Sequence, residues 1–580
     1  MIYILKKLKP SGLCFLLLSL VMMIIQVRFD LKIPDLMSDM TLSLQNDSSN
    51  IKEILRIGGK MMIYTMGSVM IALLSSIFIA KISTGFSADI RKDLFYRTQD
   101  FSFAEIKKFS IPSLIVRATN DIVNVETMLV MGILIMFKAP ITAIMATGKI
   151  RNLNKEWGMP TIITVVVVIV LSITALLSMY NKSIRLQKMT DDVNMIAREN
   201  YSGTYTIRAY NYEKYRNDKF RSHNDQLAHT EKVINDIMTV MTNMIMISVS
   251  ILTVVIYVIG AVIINKCELE DKIIVFSQMI VFSTYALQII SAIVMFITIF
   301  IMLPRAMVSY KRIKEIIDER ISILSGRNKI EGIDSIEFRN VDFMYPDGRA
   351  NALTDLSFKV KKGETLAVIG ATGCGKSTLV NLLMRFYDAT RGKILINDKD
   401  IKEYDIKSFR SNIGYVPQKT FMFGGTVSSN IAYNSDEIDR ERLNKVCEAA
   451  CVDDFVQVLP DGTDSKVEKE GSNYSGGQKQ RMSIARALYN SPDLLIFDDS
   501  FSALDFKTDK RIRNNIKNYC QNAIKVIVAQ RISTVIDADT IIVVDDGKIV
   551  GMGNHEELMK NCTNYQQFAY AQISGGEINE

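Results

Sequence analysis

Paired cysteines are missing from this chain. Its seven cysteines, Cys14, Cys267, Cys374, Cys447, Cys451, Cys520 and Cys562, follow no spacing that reads as a disulfide framework or a zinc site. Cys447 and Cys451 stand one helical turn apart, but no other Cys or His pair completes a site with them. Internal repeats and low-complexity stretches are absent too, which excludes a repeat architecture. A small-residue cleavage site does not follow the basic-then-apolar start (Met1 to Lys9, then an apolar run) before Arg28. An uncleaved first membrane helix is therefore expected in place of a secretory signal. An Arg- and Ser-rich transit peptide is lacking as well, which argues against an organelle.

What is present is apolar sequence and scattered positive charge. The 580 residues exceed one ordinary domain. They are 48% hydrophobic and 23% charged, with a mean hydropathy of +0.15. That combination reads as a split chain, one half apolar and one half charged. The net charge of +7 is spread between apolar stretches, which favours a membrane surface over nucleic acid, and no nucleic-acid partner is expected. Runs near the roughly 20 residues that a bilayer requires fall at Gly12–Val27, Met61–Ile82, Thr127–Thr147, Thr161–Tyr180, Ile237–Ile264 and Ile274–Met302. The segments 83–126 and 181–236 are long and basic, carrying Arg91, Lys92, Arg97, Arg185, Arg198 and Arg208 among others. The positive-inside rule places them and both termini in the cytoplasm, although Arg151 and Lys155 fall on the outer side.

Beyond Met302 the pattern changes. Pro304 is expected to break the apolar run, Ser309 to Glu319 reads as a charged helix, and 321–335 reads as a linker. From Ile336 onward, short apolar runs at Thr365–Ile369, Leu494–Phe497, Val526–Val528 and Thr540–Val544 alternate with helical patterns. The fold class is thus an α-helical membrane domain of six transmembrane helices (1–320) plus an α/β domain (336–580), in which the run Gly370 to Ser377 reads as a P-loop.

Gly370-Ala371-Thr372-Gly373-Cys374-Gly375-Lys376-Ser377 fits G-x-x-x-x-G-K-[ST], after an apolar strand and before a helical run. Such a loop curls backbone N–H groups around phosphate oxygens at a helix N-terminus. Lys376 is expected to reach the terminal phosphates and Ser377 to bind Mg²⁺. Cys374 reads as a tolerated filler. Leu494-Leu495-Ile496-Phe497-Asp498-Asp499 is an apolar strand ending in two carboxylates, and Asp498 fits the second Mg²⁺ ligand.

Between these motifs runs Tyr474-Ser475-Gly476-Gly477-Gln478, continuing to Ala487. Here the sequence resembles the ATP-binding cassette (ABC) transporter family, with Tyr474 where the signature usually has Leu. Tyr345 resembles the residue that stacks on adenine, Gln418 the Q-loop glutamine that reaches the metal, and Ser502-Ala503-Leu504-Asp505 the D-loop. In the membrane half, Arg117-Ala118-Thr119-Asn120-Asp121 and Glu199-Asn200-Tyr201-Ser202-Gly203 resemble the intracellular loops of exporter-type half-transporters. The resemblance implies ATP held by Tyr345, the loop from Gly370 through Thr372 and Ser377 to Thr378, and the Ser475–Gln478 signature of a second half-transporter. It also implies coupling to the membrane helices through Phe103–Ser113 and Thr204–Tyr215.

Two positions depart from that pattern. The family's water-polarising glutamate is Asp499 here, one methylene shorter, so its carboxylate falls roughly 1 Å short; a displacement of that size costs on the order of 10²-fold in rate. The family's switch histidine is Gln530, which donates a hydrogen bond but carries no charge. Glu468-Lys469-Glu470-Gly471 also replaces the usual pattern before the signature. The expectation is a chain whose own site binds ATP and hydrolyses it slowly, paired with a different chain that has the intact Glu and His, exporting apolar or amphipathic small molecules across a bacterial cell membrane. A homodimer with slow sites, and an ATP-gated regulator or channel subunit, stay open. Lys138, followed by Pro140 in the third span, reads either as a cavity lysine or as a snorkelling one. Gln278, Gln288 and Asn243 are further polar residues in spans, and the methionines there, Met279 and Met295 among them, read mainly as packing.

Overall fold

In lipid every backbone N–H and C=O must be paired within the chain, so apolar runs of this length become helices. A computed structural model describes residues 10–45, 51–151, 153, 155–435 and 437–574. The basic stretch Met1 to Lys9 lies outside the described residues. The chain divides into two units, Met1–Gln99 with Pro112–Glu319, and Asp100–Ile111 with Arg320–Glu580.

Among the described residues of the first unit, six helical stretches are long and apolar enough to cross a membrane: Gly12–Ser43, Ile51–Gln99, Ile111–Ile150, Lys155–Ser202, Glu213–Lys266 and Asp271–Ile317. Each contains one of the six apolar runs. They exceed the runs because the helices continue into polar sequence. The first is two helices, α1 (Pro10–Asp30) and α2 (Lys32–Gln45), joined at Leu31. Pro34 lies in the first turn of α2, where its missing N–H is not needed. Then follow α3 (Ile51–Gln99), the short α4 (Phe103–Phe109) and α5 (Ile111–Val116), α6 (Ile122–Ile150), α7 (Gly158–Ser202), α8 (Thr204–Ala209), α9 (Glu213–Lys266) and α10 (Leu269–Ile317). Pro304 ends the apolar run but not the helix: α10 passes through it and includes most of the charged stretch 309–319. The most extensive pairings are α6 with α10, α1 with α3, and α7 with α9. Trp157 and Phe282, both fully buried, pack with ring centroids 5.3 Å apart.

The second unit carries the sheets. Its strands are β1 (Ser335–Phe343), β2 (Leu353–Lys361), β3 (Thr365–Ile369), β4 (Arg391–Ile396), β5 (Lys399–Asp400), β6 (Ile413–Val416), β7 (Gly425–Thr426), β8 (Lys466–Val467), β9 (Leu494–Asp498), β10 (Ile524–Val528), β11 (Thr540–Asp545) and β12 (Lys548–Gly553). The six-stranded sheet has the order β12-β11-β3-β10-β9-β6. It is parallel except for β12, which pairs antiparallel with β11. A second sheet, β2-β1-β4-β5, is antiparallel. A parallel sheet covered on both faces needs strands that are apolar throughout. In β9, Leu495 and Phe497 face one apolar cluster, while Leu494 and Ile496 face the other. Because β3, β10 and β9 are adjacent and parallel, their carboxyl ends open at one edge of the sheet, the usual place for a ligand crevice.

A piece of the loop between the second and third spans folds into this unit. In α4, Ser102 and Glu105 form a capping box. Phe103 meets Phe386 edge to face at 4.5 Å. Glu105 accepts from the Ser322 N–H at 3.3 Å, and Lys107 pairs with Asp347 at 2.7 Å.

Candidate functional site

The edge where β3, β10 and β9 end holds a cavity of about 340 Å³. β3 leads into the glycine loop, and α11 (Lys376–Leu383) leaves it. The loop needs its glycines for backbone reasons. Gly373 and Gly375 have φ of +87° and +109°, which side-chain-bearing residues adopt at a cost. A Cβ on Gly370 would stand 2.1 Å from the Val544 carbonyl oxygen, so only glycine fits under the loop. Lys376 Nζ donates to the carbonyls of Gly370 and Ala371, both at 2.7 Å, and so stays over the loop.

Tyr345, Thr372, Gly373, Gly375, Lys376, Ser377, Thr378, Gln418, Asp498, Asp499 and Gln530 all line this one cavity. Gly370 and the buried Cys374 lie beneath the loop and do not line it. Tyr345 is fixed by its hydroxyl, 3.0 Å from Thr378 Oγ1, and by edge-on contacts with Phe343 and Tyr387. Lys107 of α4 lies 6.0 Å from the Tyr345 ring centroid.

Ser377 Oγ donates to Asp498 Oδ1 at 3.3 Å. Burial pushes the Asp498 carboxyl above its ordinary range, and the neighbouring Asp499 charge adds to this; the Ser377 hydrogen bond and Lys376 oppose it. A hydroxyl beside a carboxylate is a hard oxygen pair that suits Mg²⁺. Among the described residues no group of three or more His, Cys, Asp or Glu is placed to hold a metal by itself. That donor set fits an ion bound partly by substrate phosphates and not by an all-protein cage.

Asp499 is held through both its backbone and its side chain. Its backbone stands at φ +49°, and its N–H donates to the Val528 carbonyl at 2.9 Å. One carboxylate oxygen, Oδ2, accepts from both Gln530 Nε2 at 2.9 Å and Gln418 Nε2 at 3.1 Å. The two residues that depart from the family pattern are therefore bonded to each other, and Gln418 completes an amide clamp on the carboxylate.

The signature residues are elsewhere. Ser475, Gly476, Gly477 and Gln478 do not line the cavity. Ser475 caps the 14-residue helix Gly476–Tyr489: its Oγ accepts from the Gln478 N–H at 3.3 Å, and its own N–H donates to Gln478 Oε1 at 2.8 Å. This helix start is a ready anion site turned to a different place. Asn351, Ala352, Val528, Asp546 and Gly547 line the cavity without having been singled out in the sequence. Asp546-Gly547 is legible as a hairpin turn between β11 and β12. Its place at the cavity follows from the Gly547 N–H donating to the Cys374 carbonyl at 3.1 Å, a long-range contact with no local signal.

Comparison with known proteins gives a consistent result. Residues 353–502 match the family described as ABC transporter, and residues 11–293 match the ABC transporter transmembrane region. The chain is 32% identical over 496 residues to an uncharacterized ABC transporter ATP-binding protein of Mycobacterium tuberculosis, covering 83% of each chain. It is 41% identical over 231 residues to a putative multidrug export ATP-binding/permease protein of Bacillus subtilis, 40% of each. Its fold is similar to the structure of a bacterial Atm1-family ABC exporter with ATP bound, with a TM-score of 0.80, 23% identity, and coverage of 97% of this chain and 99% of that one.

Proposed function

The chain belongs to the ABC transporter family, and on that premise we propose that it is the slow-site half of a heterodimeric exporter of amphipathic compounds. As a family member it is a multi-pass membrane protein with a cytoplasmic, ATP-hydrolysing unit that drives transport. The narrower reading concerns direction, partner and division of labour between sites. Export is supported by the likeness to the B. subtilis protein, whose name describes multidrug export.

In this reading the loop amides and Lys376 hold the ATP phosphates, and Tyr345 receives the adenine. Ser377 and Asp498, with Gln418 as a further oxygen donor, would hold Mg²⁺, which when bound offsets phosphate charge. The signature at Ser475–Gln478 lies outside its own cavity, which suits a role in completing the site of a second chain. The observation that carries the slow-site reading is the amide clamp on Asp499. A carboxylate that is one methylene short, with one oxygen already accepting from two amides, is poorly placed to take a hydrogen bond from the attacking water. ATP then acts in this site mainly as a ligand that holds two chains together.

The test is ATPase activity of the purified chain alone and mixed with a candidate partner that has Glu and His at the positions of Asp499 and Gln530. The expected result is little turnover alone and ordinary turnover for the pair, near the median of about 10 s⁻¹ for enzymes. Turnover of that size by the chain alone would sink the heterodimer reading in favour of a homodimer. ATP binding with no turnover in any pairing would favour an ATP-gated subunit.

A further inference from the structure

The membrane unit holds a second cavity of about 460 Å³, lined from α1, α2, α6 and α10, that the ATPase chemistry leaves unused. Its walls are mostly apolar, with Leu31, Met37 and Met295 among them, but the hydroxyl side chains of Thr142, Thr284 and Ser291 also line it, together with three larger polar groups: Lys138, Asp30 and Gln288.

The three differ in how far they are satisfied. Lys138 is half-buried in the middle of α6, and among the described residues no carboxylate lies within ion-pair distance of it. Eleven residues further along the same helix, Lys149 pairs with Asp35 at 2.6 Å, and the Tyr285 hydroxyl also donates to Asp35 at 2.6 Å. The fold thus neutralises one lysine of this helix and leaves the other facing the cavity. Gln288 Oε1 is buried and has no hydrogen-bond partner among the described residues. Asp30 accepts from the Ser68 hydroxyl, which leaves further acceptor sites on its carboxylate.

In a membrane domain an unpaired cation and an unmet acceptor are costly to keep and mark a binding site. A purely anionic ligand answers Lys138 but leaves Gln288 Oε1 without a donor and the Asp30 carboxylate without a cation. A purely cationic one does the reverse and sits beside an unpaired ammonium. We infer that this cavity binds an amphipathic zwitterion. Its anionic group meets Lys138, its N–H donors meet Asp30 and the Gln288 amide once that side chain turns its buried Oε1 toward the cavity, and its apolar part lies along Leu31, Met37 and Met295. That this ligand is the exported cargo rests on the function proposed above; its binding does not.

Native mass spectrometry of the full-length chain in a maltoside detergent reads the bound fraction of each probe. Lysophosphatidylethanolamine carries phosphate and ammonium, lysophosphatidic acid the phosphate alone, dodecylamine the ammonium alone, and dodecylphosphocholine a zwitterion without N–H donors. Tetraleucine, a peptide zwitterion, tells a peptide source from a lipid one. The expected result is retention of the N–H-bearing zwitterion roughly tenfold above the single-charge probes, the scale of one charge-assisted hydrogen bond. Lys138→Met removes that preference, Lys138→Arg keeps it, and Gln288→Leu weakens it several-fold. Equal retention of all charge classes by the wild type, or Lys138→Met binding like the wild type, overturns the assignment. If Lys138→Met fails to fold, the Arg and Leu variants decide. ATP-driven movement of the probe into sealed vesicles is read separately. Binding without movement counts against export and leaves the cavity assignment standing. Movement without Lys138-dependent binding overturns the cavity assignment alone.

Discussion

Asp499→Glu is expected to raise the turnover of the chain's own site by about 10²-fold. The glutamate side chain carries its carboxylate one methylene further, which recovers roughly the 1 Å by which aspartate falls short, and a loss of position on that scale costs about 10²-fold, or roughly 2.7 kcal/mol at 1.36 kcal/mol per tenfold. Gln530→Leu tests the competing cause. It removes the 2.9 Å amide donor from Asp499 Oδ2 and leaves Gln418 at 3.1 Å, but it moves no carboxylate. Its gain is expected to be near tenfold, one hydrogen bond to a charged group being worth about 1.5 kcal/mol at the lower end of its range. The assay is phosphate release by the full-length chain paired in nanodiscs with a partner whose own loop lysine is substituted, with ATP affinity followed in parallel so that a change in kcat is not mistaken for one in binding. If Gln530→Leu gains more than Asp499→Glu, then the clamp and not the reach limits the site, and the argument from length is wrong. The same is concluded if Asp499→Glu stays within about threefold of wild type with unchanged ATP affinity. Asp499 sits at φ +49°, a region that aspartate tolerates better than most side chains, so the glutamate variant is also expected to melt a little lower.

Three further outcomes are expected. Gly375→Ala places a Cβ 2.7 Å from Leu353 Cδ2 and 2.9 Å from the Ala352 carbonyl oxygen at φ +109°; a destabilisation of more than about 1 kcal/mol and loss of ATP binding are expected, read by thermal melting with and without nucleotide, and a melting curve like the wild type's would refute the steric argument. Ser475→Ala removes one side of a capping box, for about 1 kcal/mol; ATP binding by the chain's own loop should stay unchanged while the activity of the pair falls, and the opposite pattern would place the signature in its own site. Burial raises the Asp498 carboxyl, so protons compete with Mg²⁺ at a higher pH than at an exposed aspartate, and Mg²⁺-dependent ATP binding should fall on mild acidification, with Asp498→Asn flattening the profile. The folded state binds that proton more readily than the unfolded one, so this group's contribution to stability rises as pH falls through the interval between the ordinary and the raised value; a profile unchanged by Asp498→Asn would refute its assignment.

The architecture was legible because each level used a local pattern. Apolar runs of bilayer length marked the six spans, and the short apolar runs at 365–369 and 494–497 became β3 and most of β9. Helix ends were less legible. Hydropathy reports lipid contact, whereas a helix continues as long as its backbone bonds do, which is why α10 passes Pro304 and reaches Ile317. Motif spacing singled out Lys376, Ser377 and Asp498, which line one cavity. The bond between Gln530 and Asp499 was not readable, since 31 residues and a whole strand separate them. Asp546 and Gly547 were missed for the same reason: a turn sequence declares its shape and not its neighbours. Lys138 was noticed as an anomaly, but only the packing of α6 showed that its sister Lys149 is paired.

The insertion of residues 100–111 into the nucleotide-binding unit makes that unit discontinuous in the chain. The polypeptide leaves and re-enters it, so no single peptide cleavage can release it whole. A fragment cut in the 321–335 stretch loses Phe103 from the Phe386 ring, Glu105 from the Ser322 backbone and Lys107 from Asp347. Phe386 would then face water on that side, and recombinant truncations beginning near residue 336 should self-associate through it unless a peptide of residues 100–111 is supplied in trans.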